Sequence, residues 1–344
     1  MKRVVWQHME LMTDRTDDIL RWLRDHGYQV QDLQPASSDA SFRRYLRAVT
    51  DADTFIVMDA PPESEDCRPF VKIARALIEI GLNVPQILQQ DLERGFLLLG
   101  DLGDRQYLDE LDADTADRLY GDALVALLNL QVDGPGEGEL PLYDRDLLMN
   151  EMELFRVWFV EKHLALELSA ATNAILDDAF QLLADNALAQ PQVCVHRDYH
   201  SRNLMLTETN NPGILDFQDA VLGPVTYDLV SLLRDCYIAW PQEQVEGWVA
   251  GFHELAMQSG ILNRDIHHDG QTFLRWFDLM GIQRHLKAIG IFARLNHRDG
   301  KPGYLQDMPR TLNYMEEVGA RYPELEDFHG LIAGRIKRAL EAAL

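Results

Sequence analysis

Cysteine is scarce in this chain. Three thiols in 344 residues, Cys67, Cys194 and Cys236, are too few for a disulfide framework and lack the paired spacing of a zinc site. A reducing cytoplasm is the expected setting. Long apolar runs are also missing: no stretch approaches the roughly twenty residues that span a bilayer, and after Met1-Lys2-Arg3 the chain meets Gln7, His8 and Glu10 before any apolar core of a signal peptide. Positive charge is short as well. Thirty-two Lys and Arg against fifty-six Asp and Glu leave a formal charge of −24, which repels phosphate backbones and anionic headgroups. Nucleic-acid and membrane partners are therefore not expected, and no protein partner is evident. The single glycine-rich loop, Asp133-Gly134-Pro135-Gly136-Glu137-Gly138, has no strand before it and carries acids where a phosphate would bind, so it is not a dinucleotide fingerprint. Gly300-Lys301 is followed by Pro302, which excludes a Walker loop, and His196 and His200 lack the intervening glutamate of a zinc protease.

What is present is the balance of a soluble globular protein, 47% hydrophobic and 26% charged, long enough for two domains. Residues 13–27 have the apolar spacing of a helix, through Ile19, Leu20, Trp22 and Leu23, with Gly27 to end it. Tyr28 to Leu33, Phe42 to Val49 and Thr54 to Met58 then follow as β-prone runs separated by the turn chemistry of Ser37-Ser38-Asp39 and Asp51-Ala52-Asp53. A helix over 65–80 and a hairpin from Gln86–Gln90 to Phe96–Leu99 complete a small α+β lobe over residues 1–100, its sheet five-stranded and antiparallel. Residues 101–344 are predicted to form a larger helical lobe, with amphipathic stretches near 113–130, 146–163, 170–188, 226–238, 243–259, 272–296, 307–319 and 327–342.

The helical pattern breaks once, at 193–217. There two short strands frame His196-Arg197-Asp198-Tyr199-His200-Ser201-Arg202-Asn203, and a turn returns the chain to Asp216-Phe217-Gln218-Asp219. Moving a phosphoryl group from ATP to a hydroxyl needs a carboxylate beside the attacking oxygen and oxygen ligands that hold Mg²⁺ against the phosphates. Asp198, Asn203 and Asp216 supply those groups at a spacing that a rigid turn and a hairpin return can bring to one edge.

The lobe order and the His196-x-Asp198-x4-Asn203 motif followed by Asp216 resemble the aminoglycoside phosphotransferase-like kinases, relatives of the protein kinases, over almost the whole chain. Within that family, Phe42-Arg43-Arg44-Tyr45, Val57-Met58-Asp59-Ala60-Pro61-Pro62, Gln283-Arg284-His285-Leu286-Lys287 and Tyr304-Leu305-Gln306-Asp307-Met308-Pro309-Arg310 are similar to bacterial anomeric kinases for N-acetylmuramate and N-acetylglucosamine. The resemblance implies a two-lobed protein-kinase-like fold and phosphorylation of a sugar C1 hydroxyl during cell-wall sugar recycling. It makes Asp198 the base, Asn203 and Asp216 the magnesium ligands, and Asp228 a brace for the catalytic loop. Ser38 and Ser41, in a turn without glycine, would cover the ATP phosphates, and the backbone of Asp101 and Leu102 would hold adenine. The strand that ends in a phosphate-binding lysine in protein kinases reads Phe55-Ile56-Val57-Met58 here. Before Lys162 the only lysines are Lys2 and Lys72, so Arg43 or Arg44 is expected to supply the missing charge.

For the acceptor, Arg284, Lys287 and Arg294 fall along one helix face, either as a cationic dock for a carboxylate-bearing sugar or as a solvated, acid-paired stripe. Glu151 and Trp158 are expected to offer a hydrogen-bond acceptor and a stacking ring, with Phe155 in the core. Arg202 and Asp219 are placed with the acceptor residues, Asp219 alternatively with a second metal. Two other readings stay open: a kinase of the same family acting on an aminoglycoside, a choline-like alcohol or homoserine, and a nucleotide-binding pseudokinase or scaffold, which Met58 recommends.

Overall fold

The computed structural model describes residues 15–38 and 43–343. Two compact units emerge: residues up to Arg75 with Val84–Gly103, and Ala76–Asn83 with Asp104–Leu344.

In the first unit, five antiparallel strands, β1 (Asp32–Ser38), β2 (Arg44–Val49), β3 (Thr54–Asp59), β4 (Ile87–Asp91) and β5 (Phe96–Gly100), lie in the order β1-β2-β3-β5-β4. Helix α1 (15–25) places Ile19, Trp22 and Leu23 on one face, where they bury against Ala48, Val57, Phe96 and Leu98. Strand alternation sends Met58 to the face opposite Val57, and it too is fully buried. The expected first strand is displaced along the chain. Tyr28, Val30 and Leu33 do pack on the core, which gives that stretch its strand-like pattern, yet the paired segment starts at Asp32 and runs through Ser37 and Ser38 to face Tyr45 and Arg44. Pro35 reads as a break in sequence, but on an edge strand its missing N–H costs no ladder bond, and the register shifts between Pro35 and Ser37.

The second unit takes in the last turn of α2 (Arg68–Glu79) and the helices α3 (Tyr107–Glu110), α4 (Ala116–Asp133), α5 (Arg145–Leu154), α6 (Ala170–Leu188), α7 (Tyr227–Leu233), α8 (Gln242–Ser259), α9 (Arg264–His267), α10 (Gly270–Asp299), α11 (Met308–Gly319), α12 (Glu326–Leu331) and α13 (Lys337–Ala343). The 30-residue α10 is the axis: α5, α6, α7 and α11 all pack on it. Where the sequence predicts one helix over 146–163, α5 widens into a π-helical segment at Phe155–His163. The widening begins where α10 comes closest. A Cβ on Gly290 would meet the Leu154 carbonyl carbon at 2.4 Å and the Phe155 nitrogen at 2.6 Å. Gly290→Ala must therefore push two backbones apart, and chemical denaturation should show a loss of about 1–3 kcal/mol; an unchanged midpoint would mean the crossing is looser than it is drawn.

Two small antiparallel pairs interrupt the helices: β6 (Gln192–Val195) with β9 (Val221–Pro224), and β7 (Leu204–Met205) with β8 (Gly213–Ile214). The sequence predicts a longer strand at 213–217 and gives no hint of β9. Among the described residues no helix is long and apolar enough to cross a membrane, and Cys67, Cys194 and Cys236 are buried free thiols.

Candidate active site

The loop between β6 and β7 carries Asp198 and Asn203, and two buried aspartates hold its backbone. Asp228, in the first turn of α7, accepts the N–H groups of His196 at 2.6 Å and Arg197 at 3.0 Å. Asp235, just past α7, accepts the Ser201 N–H at 2.9 Å together with the Ser201 hydroxyl. The expected helix over 226–238 stops at Leu233 because the next residues turn back to make this second anchor. His196 is buried and held neutral, its pKa pushed down to about 4 by burial, and its Nδ1 accepts the Asp198 N–H at 3.2 Å.

The hairpin formed by β7 and β8 returns the chain to Asp216, whose backbone lies in the left-handed region at φ 64°. Asn203 links the two arms. Its Nδ2 donates to the Asp198 carbonyl at 2.9 Å and lies 3.4 Å from Asp216 Oδ2, and its own carbonyl accepts the Leu215 N–H at 2.9 Å. Gln218 Nε2 donates to Asp216 Oδ1 at 2.7 Å and to the exposed Asp219 at 3.2 Å. Asp198, Asn203 and Asp216 thus stand together, as the spacing predicts.

Burial alone would raise the Asp198 pKa, but Lys287, His200, Arg284 and Arg197 around it outweigh that effect and bring it down to about 2. The source of this field is a buried network that the sequence did not reveal. Glu151, in α5, is 6% exposed and takes Arg197 Nη2, the Tyr143 hydroxyl and, at 3.5 Å, Lys287 Nζ. Lys287 also donates to the Tyr227 hydroxyl at 3.0 Å, and Gln283 donates to the Tyr143 hydroxyl at 3.2 Å. The Glu151 oxygens expected to receive a sugar hydroxyl are already engaged by protein donors. Arg197 reaches Glu151 from a left-handed backbone, φ 78°.

The cationic stripe on α10 differs from the solvated reading. Arg284 and Lys287 are not a solvated stripe: they are 5% and 8% exposed, and only Arg294 is half-exposed. A face that looks amphipathic in sequence becomes interior because α10 is surrounded by other helices. Phe155 is in the core as expected, while Trp158 is half-buried with Lys162 Nζ 4.1 Å from its ring centroid.

In the first unit, Arg44 Nε and Arg15 Nε each donate at 2.9 Å to the fully buried Asp59 carboxylate. Arg43 Nε lies 3.3 Å from Glu65. Asp101 accepts Arg47 Nε at 2.6 Å and the Gly103 N–H at 2.9 Å, and Arg47 also donates to the Gly103 carbonyl at 2.8 Å. Burial pushes Asp101 up, but Arg47 and the other donors hold it below the usual carboxylate value. The segment carrying Leu102 is a tied turn. Ser38 ends β1, whereas Ser41 and the tip of the expected phosphate-covering turn lie outside the described residues.

A model of the phosphotransferase enzyme family matches residues 32–261. The chain belongs to that family. Among curated proteins it is similar to an N-acetylmuramate/N-acetylglucosamine kinase of Pseudomonas putida, 54% identical over 88% of this chain and 87% of that protein. It is also similar to a kinase of the same name from Neisseria meningitidis, 43% identical over 88% and 90%. Among solved structures it resembles the ADP-bound aminoglycoside phosphotransferase APH(2'')-Ib, with a TM-score of 0.59 at 15% identity over 88% of this chain and 98% of that one. Choline kinase LicA from Streptococcus pneumoniae has a TM-score of 0.59 at 13% identity over 92% and 100%. The α+β, protein-kinase-like architecture expected from the motif order is the architecture of this phosphotransferase.

The sequence reading missed the anchor Asp235 and the inward position of Lys287, and it did not foresee that Glu151, singled out as a hydrogen-bond acceptor, holds Arg197. No local pattern carries these, because which acid meets Arg197 and which cation turns inward depends on helix packing.

Proposed function

We propose that this phosphotransferase moves the γ-phosphoryl group of ATP to the anomeric hydroxyl of N-acetylmuramate and N-acetylglucosamine. One observation carries the chemistry: Asp198, Asn203 and Asp216, separated in sequence, converge on a loop whose backbone is anchored at both ends. The sugar reading is supported by the identity to the curated relatives over most of the chain.

Asp198, ionised at neutral pH, accepts the proton of the attacking hydroxyl as its oxygen bonds to the γ-phosphorus. The bond from that phosphorus to the β,γ-bridging oxygen breaks, and ADP departs with the electron pair. The metal fits the residues present. The Asn203 amide nitrogen is committed to the Asp198 carbonyl, and among the described residues nothing donates to its Oδ1, the atom able to ligate a hard cation. Magnesium is ordinarily held by one or two protein oxygens plus substrate phosphates, which suits Asn203 and Asp216. Bound there, Mg²⁺ would neutralise charge on the β- and γ-phosphates.

For the nucleotide, Ser38, Ser41 and the backbone of Asp101 and Leu102 keep their assigned roles. Arg43 or Arg44 would supply the charge of the missing lysine; Arg44 is paired with Asp59 beside Arg15, and Arg43 with Glu65. The buried free thiols and the need for ATP support a cytoplasmic setting. Incubation with ATP, Mg²⁺ and each sugar should give the sugar 1-phosphate by phosphorus NMR, and Asp216→Ala should abolish it. Wild-type protein that releases no ADP with either sugar overturns the reading and favours a non-catalytic scaffold.

A further inference from the structure

Beside the catalytic loop stands a second pair of charged groups that the phosphoryl chemistry does not use. Arg202, next to Asn203, lays its guanidinium over the Tyr237 ring at 3.7 Å, with the Tyr304 ring centroid 6.0 Å away. Among the described residues no carboxylate lies within ion-pair distance of it, in a protein with 56 acidic side chains. A cation–π contact orients the guanidinium without consuming the N–H donors along its edge. Asp307, in the segment Tyr304-Leu305-Gln306-Asp307-Met308-Pro309-Arg310, is 5% exposed. Its Oδ1 has only a 3.4 Å contact with Arg310, and its Oδ2 is buried with no hydrogen-bond partner. Burial raises its pKa, and Arg202 pulls the other way, so the two charges sense each other without pairing. An ionised oxygen buried without a donor is costly to the fold. The two groups share one neighbourhood with the loop, since Arg310 donates to the Cys236 carbonyl at 2.7 Å and the adjoining Asp235 anchors Ser201.

We propose that Arg202 and Asp307 form the recognition subsite of the acceptor sugar: Arg202 takes a carboxylate substituent where the sugar carries one, and Asp307 Oδ2 accepts from a sugar hydroxyl or amide N–H. Arg284 is assigned a different part. It is buried against Cys236 Sγ at 3.8 Å and acts on Asp198 instead. The subsite rests on the anomeric-kinase reading above and adds the residues that discriminate its two substrates, one with a carboxylate and one without.

The test is steady-state kinetics of the full chain on N-acetylmuramate and N-acetylglucosamine, with Arg202→Gln, Arg202→Lys and Asp307→Asn. In Arg202→Gln the ratio of kcat/KM for the carboxylate-bearing sugar over the neutral one should fall about tenfold or more, and Arg202→Lys should recover part of it. Asp307→Asn should raise KM for both sugars by about tenfold with a smaller effect on kcat. Its melting temperature should hold or rise, because a buried charge without a donor is removed. A merely structural aspartate would instead lower the melting temperature and leave KM alone. If Asp307→Asn fails to fold, the Arg202→Gln ratio decides. Wild-type protein active on both sugars, with that ratio unmoved in Arg202→Gln, overturns the subsite and spares the function; wild-type protein inactive on both overturns the two together.

Discussion

With Asp198 as the proposed base, Asp198→Asn should lower kcat by about 10²- to 10⁴-fold, the range that a positioned general base supplies, while nucleotide binding should survive. The asparagine keeps the shape of the side chain and the backbone N–H to His196, so the anchors at Asp228 and Asp235 remain in place. Only the proton acceptor is lost. A second readout separates charge from shape. The folded carboxyl titrates near 2, below the ordinary aspartate value of 3.8, because neighbouring cations outweigh its burial. A depressed carboxyl stabilises the fold above its unfolded pKa and loses that contribution as pH falls through the folded one. The wild-type protein is therefore more stable than Asp198→Asn at neutral pH, and the gap closes between roughly pH 4 and pH 2. Calorimetry across that range, with kcat at neutral pH, checks both. A variant with more than about a tenth of wild-type kcat would remove Asp198 from the base role.

The second large effect is expected at Glu151, through its clamp on Arg197 and Lys287. Removing one member of a buried charge network leaves the others unpaired in a low-dielectric interior, at about 3–5 kcal/mol. Glu151→Ala should cost that much in urea denaturation. It should also slow turnover, since Arg197 sits one residue before the base and would be free to swing toward it. The companion variant Glu151→Gln/Lys287→Met removes the acid and one of the stranded cations together, and should recover a substantial part of the stability lost by Glu151→Gln alone. A loss below about 1 kcal/mol in Glu151→Ala would show the network to be ornamental.

Much of this was legible before any coordinates. Local chemistry gave the five-stranded sheet, the helical second unit and the trio Asp198, Asn203 and Asp216, because strand alternation, helical spacing and a loop with its hairpin all act over short stretches of chain. What was not legible depends on distant packing. Whether Arg284 and Lys287 face solvent or the interior is decided by the four helices around α10, and no pattern within α10 carries that information. β9 was invisible for the same reason: Val221–Pro224 becomes a strand only because Gln192–Val195 lies beside it. The displaced β1 shows the converse: Tyr28 and Val30 keep a strand-like apolar alternation and pack on the core, yet they lie before the paired strand begins.

Arg197 holds a backbone torsion that glycine adopts at no cost and an arginine adopts with about 1–2 kcal/mol of strain. A glycine there would relax the chain and yet unfasten the loop from α5, because the same residue that bears the awkward torsion is the tether to Glu151. The strain relieved is smaller than the roughly 3–5 kcal/mol at stake when buried Glu151 loses its guanidinium partner, so stability and turnover alike hold an arginine at position 197, and the awkward torsion is the lesser cost of the tether.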